Sequence, residues 1–428
     1  MMKKNLFILA AAALAFAACS NDEVVESVAT SDSNAISFRP LISNVTRALD
    51  IMNSGDNIIT GFKVTATETA TANVYFTNVD FTGTGTFTSA TKYYWPSGYN
   101  LDFYAYAPIA GTYVGNGQNN EQIIPWDPTA NENAGAYSSA AYKIFKVVPA
   151  TAAASQVDFV YARTNDWGKV STTPVEHIVD GSTVEGVAIN FRHTESKVRI
   201  KLYNSNSNIS VIVRDASICN VKGYGVFTLS ATDTDGRNEG AGTTLNISQW
   251  EAGGTANISY LQTDQSNSKY NVAVGSAAQV GTDWILIPQT LTYATTYDNT
   301  TSTPYSFSGA CIKVNLKIKN NANGGSTSYI VGADDDDQDP DDNEGYITAL
   351  WPLKSTPTAW EPGKLYTYSV DLAGGGYYEK NQDGDENTGL DPILGGAEIK
   401  FVTVTVDDWT GVDGNIYTGA TPSTPVVP

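Results

Sequence analysis

The chain is built from short stretches in which apolar and polar residues alternate, and these stretches recur along almost its whole length. Successive side chains of a β-strand point to opposite faces, so this two-residue period predicts strands that bury one face. Clear examples lie at residues 197–202, 312–318 and 400–406. Turn-forming Gly, Asn and Asp separate the stretches, and no long stretch follows the 3.6-residue period of a helix. The pattern predicts an all-β fold of the sandwich type.

Length and spacing favour two domains. A single hydrophobic core stops growing at about 250–300 residues, and this chain has 428. A polar segment with glycines and a proline, residues 165–185, separates the first group of strands from the next. We therefore predict an N-terminal β-sandwich domain at residues 48–185 and a C-terminal β-sandwich domain at residues 186–409.

Charge and motif content argue against several functions. The formal net charge is −20 and no Lys/Arg cluster offsets it, so we expect no nucleic-acid partner. Neither His177 nor His193 lies in an H-E-x-x-H motif, and the chain has no C-x-x-C pair, P-loop or G-x-S-x-G elbow. Carboxylates are plentiful, but no spacing selects a glycosidase pair. We predict that the protein is not an enzyme and needs no cofactor.

Two acidic segments, residues 334–344 and 381–387, leave calcium binding open. Oxygen-bearing residues alternate in the second segment, as they do in some calcium loops. However, Glu386 stands where an EF-hand loop has its Gly, and no Glu stands at the twelfth position. A solvated, self-repelling loop is the simpler interpretation.

The N-terminus has the features of an export signal. Lys3 and Lys4 precede an apolar stretch, residues 6–18, that is too short to span a bilayer as a mature helix. Small residues then lead to Cys19 and an acidic run, as in a lipobox, in which the Cys is acylated. An ordinary secretory signal with an incidental Cys is the alternative. We predict that residues 1–19 are a lipoprotein signal peptide ending at the lipidated Cys19.

The two other cysteines, Cys219 and Cys311, both lie in strand-like stretches. A disulfide between them is permitted outside the cytosol. Buried thiols that act as small apolar side chains are the equal alternative, because spacing alone does not bring the two residues together.

Six segments stand out in order along the chain, at residues 92–108, 157–162, 187–198, 285–292, 360–368 and 402–409. Together they are similar to the fimbrillin family, the subunits of type V pili of Gram-negative bacteria. The resemblance implies two transthyretin-like β-sandwich domains and a structural role for His193. It also implies an outer-membrane lipoprotein precursor that becomes part of a fimbria at the cell surface and supports adhesion.

The resemblance further implies how the precursor is processed. An Arg-specific protease cuts such subunits after an Arg that follows the first strand, and Arg47, followed by Ala48, fits that site. Residues 20–47 would then be a propeptide that carries a removable strand with Ile36 and Phe38 on one face. Removing a strand exposes unpaired backbone groups and an apolar groove, which a strand of the next subunit can fill.

The expected donor of that strand is the C-terminal tail, residues 410–428. Its scattered apolar residues are Val412, Ile416, Tyr417, Val426 and Val427. The implied partners are copies of this chain and other pilus subunits in a head-to-tail polymer, the protease, and the outer membrane before processing. Alternatives are a disordered tail, a tip or anchor subunit, and a monomeric surface lipoprotein that binds glycans or host proteins.

Overall fold

Strands dominate the described part of the chain. The computed structural model describes residues 35–42, 61–84, 86–107, 122–125, 142–150, 156–168, 176–179, 182–229, 245–262, 270–279, 281–292, 309–321, 328–332, 345–353, 357–373, 376–379, 390–392 and 401–408. Within these ranges the helical element is a single 3-10 turn at Ile247–Gln249, whose capping residue is Asn246. The all-β fold predicted from the sequence is confirmed.

Twenty-six strands lie in the described residues. The first thirteen are β1 (Phe38–Ile42), β2 (Gly61–Glu68), β3 (Val74–Thr84), β4 (Thr86–Ser89), β5 (Leu101–Ala107), β6 (Ile123–Pro125), β7 (Ile144–Val147), β8 (Val160–Trp167), β9 (Glu176–Val179), β10 (Ser182–Glu185), β11 (Val187–His193), β12 (Ser196–Tyr203) and β13 (Ile209–Thr228). The others are β14 (Trp250–Gln262), β15 (Tyr270–Val272), β16 (Ala278–Gln279), β17 (Trp284–Leu286), β18 (Gln289–Thr290), β19 (Cys311–Asn320), β20 (Tyr329–Val331), β21 (Ile347–Pro352), β22 (Ala359–Trp360), β23 (Lys364–Asp371), β24 (Tyr377–Glu379), β25 (Leu390–Pro392) and β26 (Phe401–Asp408).

The first sheet closes on itself in the order β1-β11-β8-β5-β2-β3-β4, because β1 pairs with both β11 and β4. Its neighbours are antiparallel except for β1 and β11. Parallel neighbours need a long connection, and here most of the first sheet lies between them in the sequence.

Two further large sheets follow. One has the order β16-β12-β23-β26, with β17 also on β12, and its β12–β23 pair is parallel. The other has ten strands in the order β25-β24-β21-β19-β13-β7-β6, with β14 and β15 on β13 and β20 on β19. Two small pairs, β9 with β10 and β18 with β22, complete the pairing of the described strands.

The buried apolar residues form two clusters. The first is rich in aromatic rings and is lined by strands of the closed sheet, with Phe62, Phe81 and Phe103 fully buried. The second is rich in aliphatic residues and contains the buried indoles Trp284 and Trp360. Strict alternation of buried and half-buried residues in β12 shows how the two-residue period of the sequence sets the buried face.

Three strand pairings cross the boundary predicted at residue 185. Strand β11 follows that boundary and yet belongs to the first sheet. Strands β6 and β7 precede it and join the ten-stranded sheet, where β7 pairs with β13. The division into domains at residues 48–185 and 186–409 stays a prediction.

Candidate functional site

The first strand completes the closed sheet from the N-terminal end of the described chain. Strand β1 runs parallel to β11, with Phe38 opposite Val187 and Ile42 opposite Phe191. On its other side, β1 pairs with β4 at one position among the described residues, where Phe38 lies opposite Phe87. The sheet is therefore closed through a five-residue strand that is fully paired along one edge.

The hydrogen bonds of β1 explain this one-sided pairing. The Val187 N–H donates to the Ser37 carbonyl oxygen at 2.8 Å. In a parallel ladder, every second residue of a strand bonds the same neighbour, so residues 39 and 41 face β11 and Pro40 faces the β4 side. Proline has no N–H to donate. The β4 side of β1 consequently lacks a donor at the position where a second ladder would continue.

Phe38 anchors β1 in the first core. Its side chain is 0% exposed, and its ring meets the rings of Phe81, Phe103 and Phe62 edge-on at centroid distances of 4.7, 5.0 and 5.9 Å. Burial of a phenylalanine contributes about 1.5–3 kcal/mol, and each well-placed aromatic pair adds about 0.5–1.5 kcal/mol. Phe38 therefore contributes much of the free energy that holds β1 in the sheet.

Ile36 extends the same buried face. It is 2% exposed, and its N–H donates to the Tyr93 carbonyl oxygen at 2.7 Å. Ser37 alone separates Ile36 from Phe38 in the chain, so in extended backbone both side chains point to one side. The structure buries both of these sequence-predicted residues in one aromatic core.

The residues around Ile36 and Phe38 form what we call the β1 groove. Its walls, apart from the rings already named, are the fully buried side chains of Val187, Ile189 and Phe191 on β11, together with Phe87 on β4. These side chains face the core irrespective of β1, because they alternate along their own strands. Without β1, the groove would present apolar side chains next to the unpaired edge of β11.

The other sequence-predicted site residues lie outside the described residues. They are the lipidation site, the processing site and the apolar residues of the tail, namely Cys19, Arg47, Ala48, Val412, Ile416, Tyr417, Val426 and Val427. Both acidic segments also lie wholly outside the described ranges. Calcium binding there and the roles of these residues stay predictions.

A buried polar cluster links β11 to the segment before β8. His193 Nδ1 lies 3.0 Å from both carboxylate oxygens of Asp158, and both residues are buried. Two residues later, the Oε2 atom of the fully buried Glu195 accepts a hydrogen bond from the Phe159 N–H at 2.9 Å. Burial, with the nearby Asp158 carboxylate, raises the pKa of Glu195 well above its usual range, against the effect of the Phe159 N–H.

The contacts of this cluster hold its side chains in fixed positions inside the protein. His193 is fixed by Asp158, and Thr194 between His193 and Glu195 bonds the Phe159 carbonyl oxygen through its hydroxyl at 2.8 Å. All of these groups are enclosed, which fits the structural role that the family resemblance implied for His193. Sequence reasoning missed Asp158 and Glu195, because their contacts depend on the fold and follow no motif.

The described residues can also be compared with the requirements of a metal site and of a membrane-spanning helix. They contain no group of three or more His, Cys, Asp or Glu side chains placed to hold a metal ion. Among them, no helix has the length and apolar character needed to cross a membrane.

The fold and the groove define an all-β protein whose first sheet is completed by a short N-terminal strand. A family model described as fimbrillin-like matches residues 46–409. The chain therefore belongs to the fimbrillin-like family, a family of pilus and cell-adhesion subunits at the cell surface rather than of enzymes. No curated protein matches the chain.

Solved structures that match the chain include two bacterial proteins. One, a candidate cell adhesion protein from Bacteroides uniformis, has 12% sequence identity and a TM-score of 0.41, and the alignment covers 89% of this chain and 100% of that one. Another is the tip fimbrial protein Mfa3 from Porphyromonas gingivalis with a C-terminal truncation, with 10% identity, a TM-score of 0.28, and coverage of 87% of this chain and 100% of that one. The assignment to the family rests on the family match.

Proposed function

We propose that this protein is a structural subunit of a surface pilus and that it polymerises when a strand of the next subunit replaces β1. The observation that carries the proposal is the burial of Ile36 and Phe38 in a groove whose edge is paired to β1 along β11. The first strand is short, is joined to β4 at one position, and lies before the predicted processing site at Arg47.

Cleavage after Arg47 turns an internal strand into a separable one. In the uncut chain, β1 is tethered to its groove at a high effective concentration, so an incoming strand cannot compete. After the cut, β1 is a short peptide that can dissociate. The groove then exposes apolar side chains and unpaired backbone groups, and a strand from another subunit can restore both by β-augmentation.

The C-terminal tail, residues 410–428, is the proposed donor. Val412 and Ile416 are four residues apart, so in an extended strand their side chains share one face, as those of Ile36 and Phe38 do at a spacing of two. The tail is otherwise rich in Gly, Thr and Pro, which disfavours folding on its own and keeps it available. A contact of this kind is head-to-tail and does not close, so it extends into a fibre.

The family match is compatible with this division of the chain. It begins at residue 46, after β1, and ends at residue 409, before the tail. In this proposal, the matched residues lie between the strand that leaves and the strand that is donated. Before processing, we propose that lipidation at Cys19 anchors the precursor in the outer membrane.

Controlled cleavage of the purified chain tests the proposal. Size-exclusion chromatography and electron microscopy before and after treatment with an Arg-specific protease should show monomers becoming filaments. The Arg47→Ala variant should stay monomeric. The matched control is Arg39→Ala, which removes the other arginine among residues 1–47 and should still polymerise. Wild-type chains that are cut at Arg47 and remain monomeric would favour a monomeric surface lipoprotein instead.

A further inference from the structure

Cys219 of β13 lies directly opposite Cys311 of β19 in an antiparallel pair. Directly opposite residues of antiparallel strands have Cα atoms about 4.5–5.5 Å apart and side chains on the same face. Disulfides need Cα separations of about 4.4–6.8 Å. We propose that Cys219 and Cys311 form a cross-strand disulfide in the exported protein. This inference does not depend on strand exchange.

The surroundings of the two thiols form an enclosed site. Cys219 is 7% exposed and Cys311 is 1% exposed, and in this structure both are thiols in hydrogen-bonding contact. Their neighbours Ile218 and Ile312, also opposite each other, belong to the second core. Because successive side chains alternate, the cysteines occupy the face turned away from that core.

Asn220 fixes the backbone beside the pair. It adopts a left-handed conformation with φ of 59°, at an irregularity in the pairing of β13 with β14. Its side-chain amide donates to the Gly309 carbonyl oxygen at 3.0 Å and lies 3.9 Å from Cys311 Sγ. The residue after one cysteine is therefore bonded to the segment that leads into the other, which keeps both strands in register at this point.

The folded protein disfavours the thiolate that disulfide chemistry requires. The hydrogen bond with Cys219 and burial both raise the pKa of Cys311 above that of an ordinary thiol. We therefore expect the bond to form before β13 and β19 close over it. Once formed, the bond is shielded from reductants by the same burial.

The bond requires an oxidant, which we identify as a disulfide of the exchange type. One cysteine thiolate attacks that disulfide, forms a mixed disulfide and releases one thiol of the oxidant. The second cysteine thiolate attacks the mixed disulfide, forms the Cys219–Cys311 bond and releases the other thiol. Two protein thiols are oxidised, and one disulfide is reduced to two thiols. A cell-surface protein meets such oxidants during export.

Peptide mapping of the full chain tests the proposal. Cells producing the protein are treated with an alkylating agent before lysis, and the protein is then denatured and digested with trypsin. We expect residues 215–222 and 270–313, the two tryptic peptides that contain these cysteines, to be recovered as one linked species that reduction separates. Recovery of both peptides in alkylated form from trapped cells would overturn the proposal.

A relocated thiol provides the matched control. Ser217 lies opposite Lys313, so it is a diagonal neighbour of Cys311, and diagonal Cα atoms about 7–8 Å apart exceed the range of a disulfide. The double variant Ser217→Cys, Cys219→Ser has the same number of cysteines and serines as the wild-type chain. It should yield no linked peptide. A linked peptide from this variant would show that pairing is not set by the β13–β19 register, and would contradict the argument.

Thermal unfolding gives an independent readout. The disulfide closes a loop of about 90 residues, so wild-type chain that is reduced in denaturant and refolded with reductant present should melt roughly 5–10 °C lower than the oxidised chain. The double variant Cys219→Ser, Cys311→Ser contains no pair to reduce, and its melting temperature should not respond. Equal responses of the two proteins to reductant would also overturn the proposal.

Discussion

Phe38 touches three phenylalanine rings edge-on and is fully buried, so truncating it would leave a cavity in the first core. We predict that Phe38→Ala destabilises the uncut chain by about 3–5 kcal/mol, measured as the free energy of unfolding in urea. Tyr94→Ala is the control, because Tyr94 is also aromatic but its side chain is 53% exposed. The control should change stability by about 0.5 kcal/mol or less. Similar losses in both variants would contradict the anchoring role of Phe38.

Glu195 makes stability depend on pH in a direction that its raised pKa determines. Above a pH of about 4.5, the unfolded carboxyl loses its proton while the buried one keeps it, so the native state binds more protons. Stability should therefore fall as the pH rises from there through the folded pKa, by at most about 1.4 kcal/mol per pH unit.

The Glu195→Gln variant cannot ionise at this position and should lose that part of the pH dependence. The measurement is the free energy of unfolding of both proteins from pH 4 to pH 8, and the advantage of wild type over the variant should shrink as the pH rises. Glu251→Gln, which removes an exposed carboxyl group, should keep the wild-type slope. A constant difference between wild type and Glu195→Gln across this range would refute the prediction.

At the scale of the strands, alternation in the sequence correctly indicates which face of a strand is buried. Ile36 and Phe38 share a face, and β12 alternates along its whole length. This works because the side-chain period is a local property of the backbone. The all-β class follows from the same local signal.

Which strands become neighbours in a sheet could not be predicted from the sequence, because the paired strands are far apart along the chain. Strand β1 pairs with β11, almost 150 residues later, in a parallel arrangement that no alternation pattern specifies. The same holds for Cys219 opposite Cys311 and for Asp158 beside His193. Each of these contacts depends on which strands become neighbours, a choice made by the packing of the whole molecule. Family resemblance, rather than periodicity, drew attention to Arg47 and the tail.

A free peptide with the sequence of the first strand should bind in the β1 groove. We predict that a synthetic peptide of residues 34–44 inhibits filament formation by the cut chain in a dose-dependent manner, because it refills the β1 groove. The same peptide with Phe38→Asp should not inhibit, since a charged side chain among buried phenylalanine rings is strongly disfavoured. Light scattering during polymerisation reports both. Equal inhibition by the two peptides would show that the groove does not recognise β1 through Phe38.

For the whole molecule, the proposed strand exchange predicts that two defects can be distinguished. We expect a chain that lacks residues 410–428 to have no donor, although its groove should open when the chain is cut after Arg47. We expect an Arg47→Ala chain to keep β1 in its groove, although its tail should be available. Neither variant alone should form filaments, and the physical reason differs in the two cases.

Mixing the two variants should stop assembly at a defined size. The tail-deleted chain, after cleavage, purification away from the protease and release of β1, can accept the tail of one Arg47→Ala chain. That donor chain cannot accept a further subunit because β1 still occupies its groove, so the product should be a dimer by size-exclusion chromatography with light scattering. Adding Ile416→Asp to the Arg47→Ala chain should reduce dimer formation, because it places a charge in the groove. Dimers that form equally well with uncut tail-deleted chain, or long polymers from either variant alone, would contradict the proposal that assembly proceeds by exchange of β1 for a donated tail.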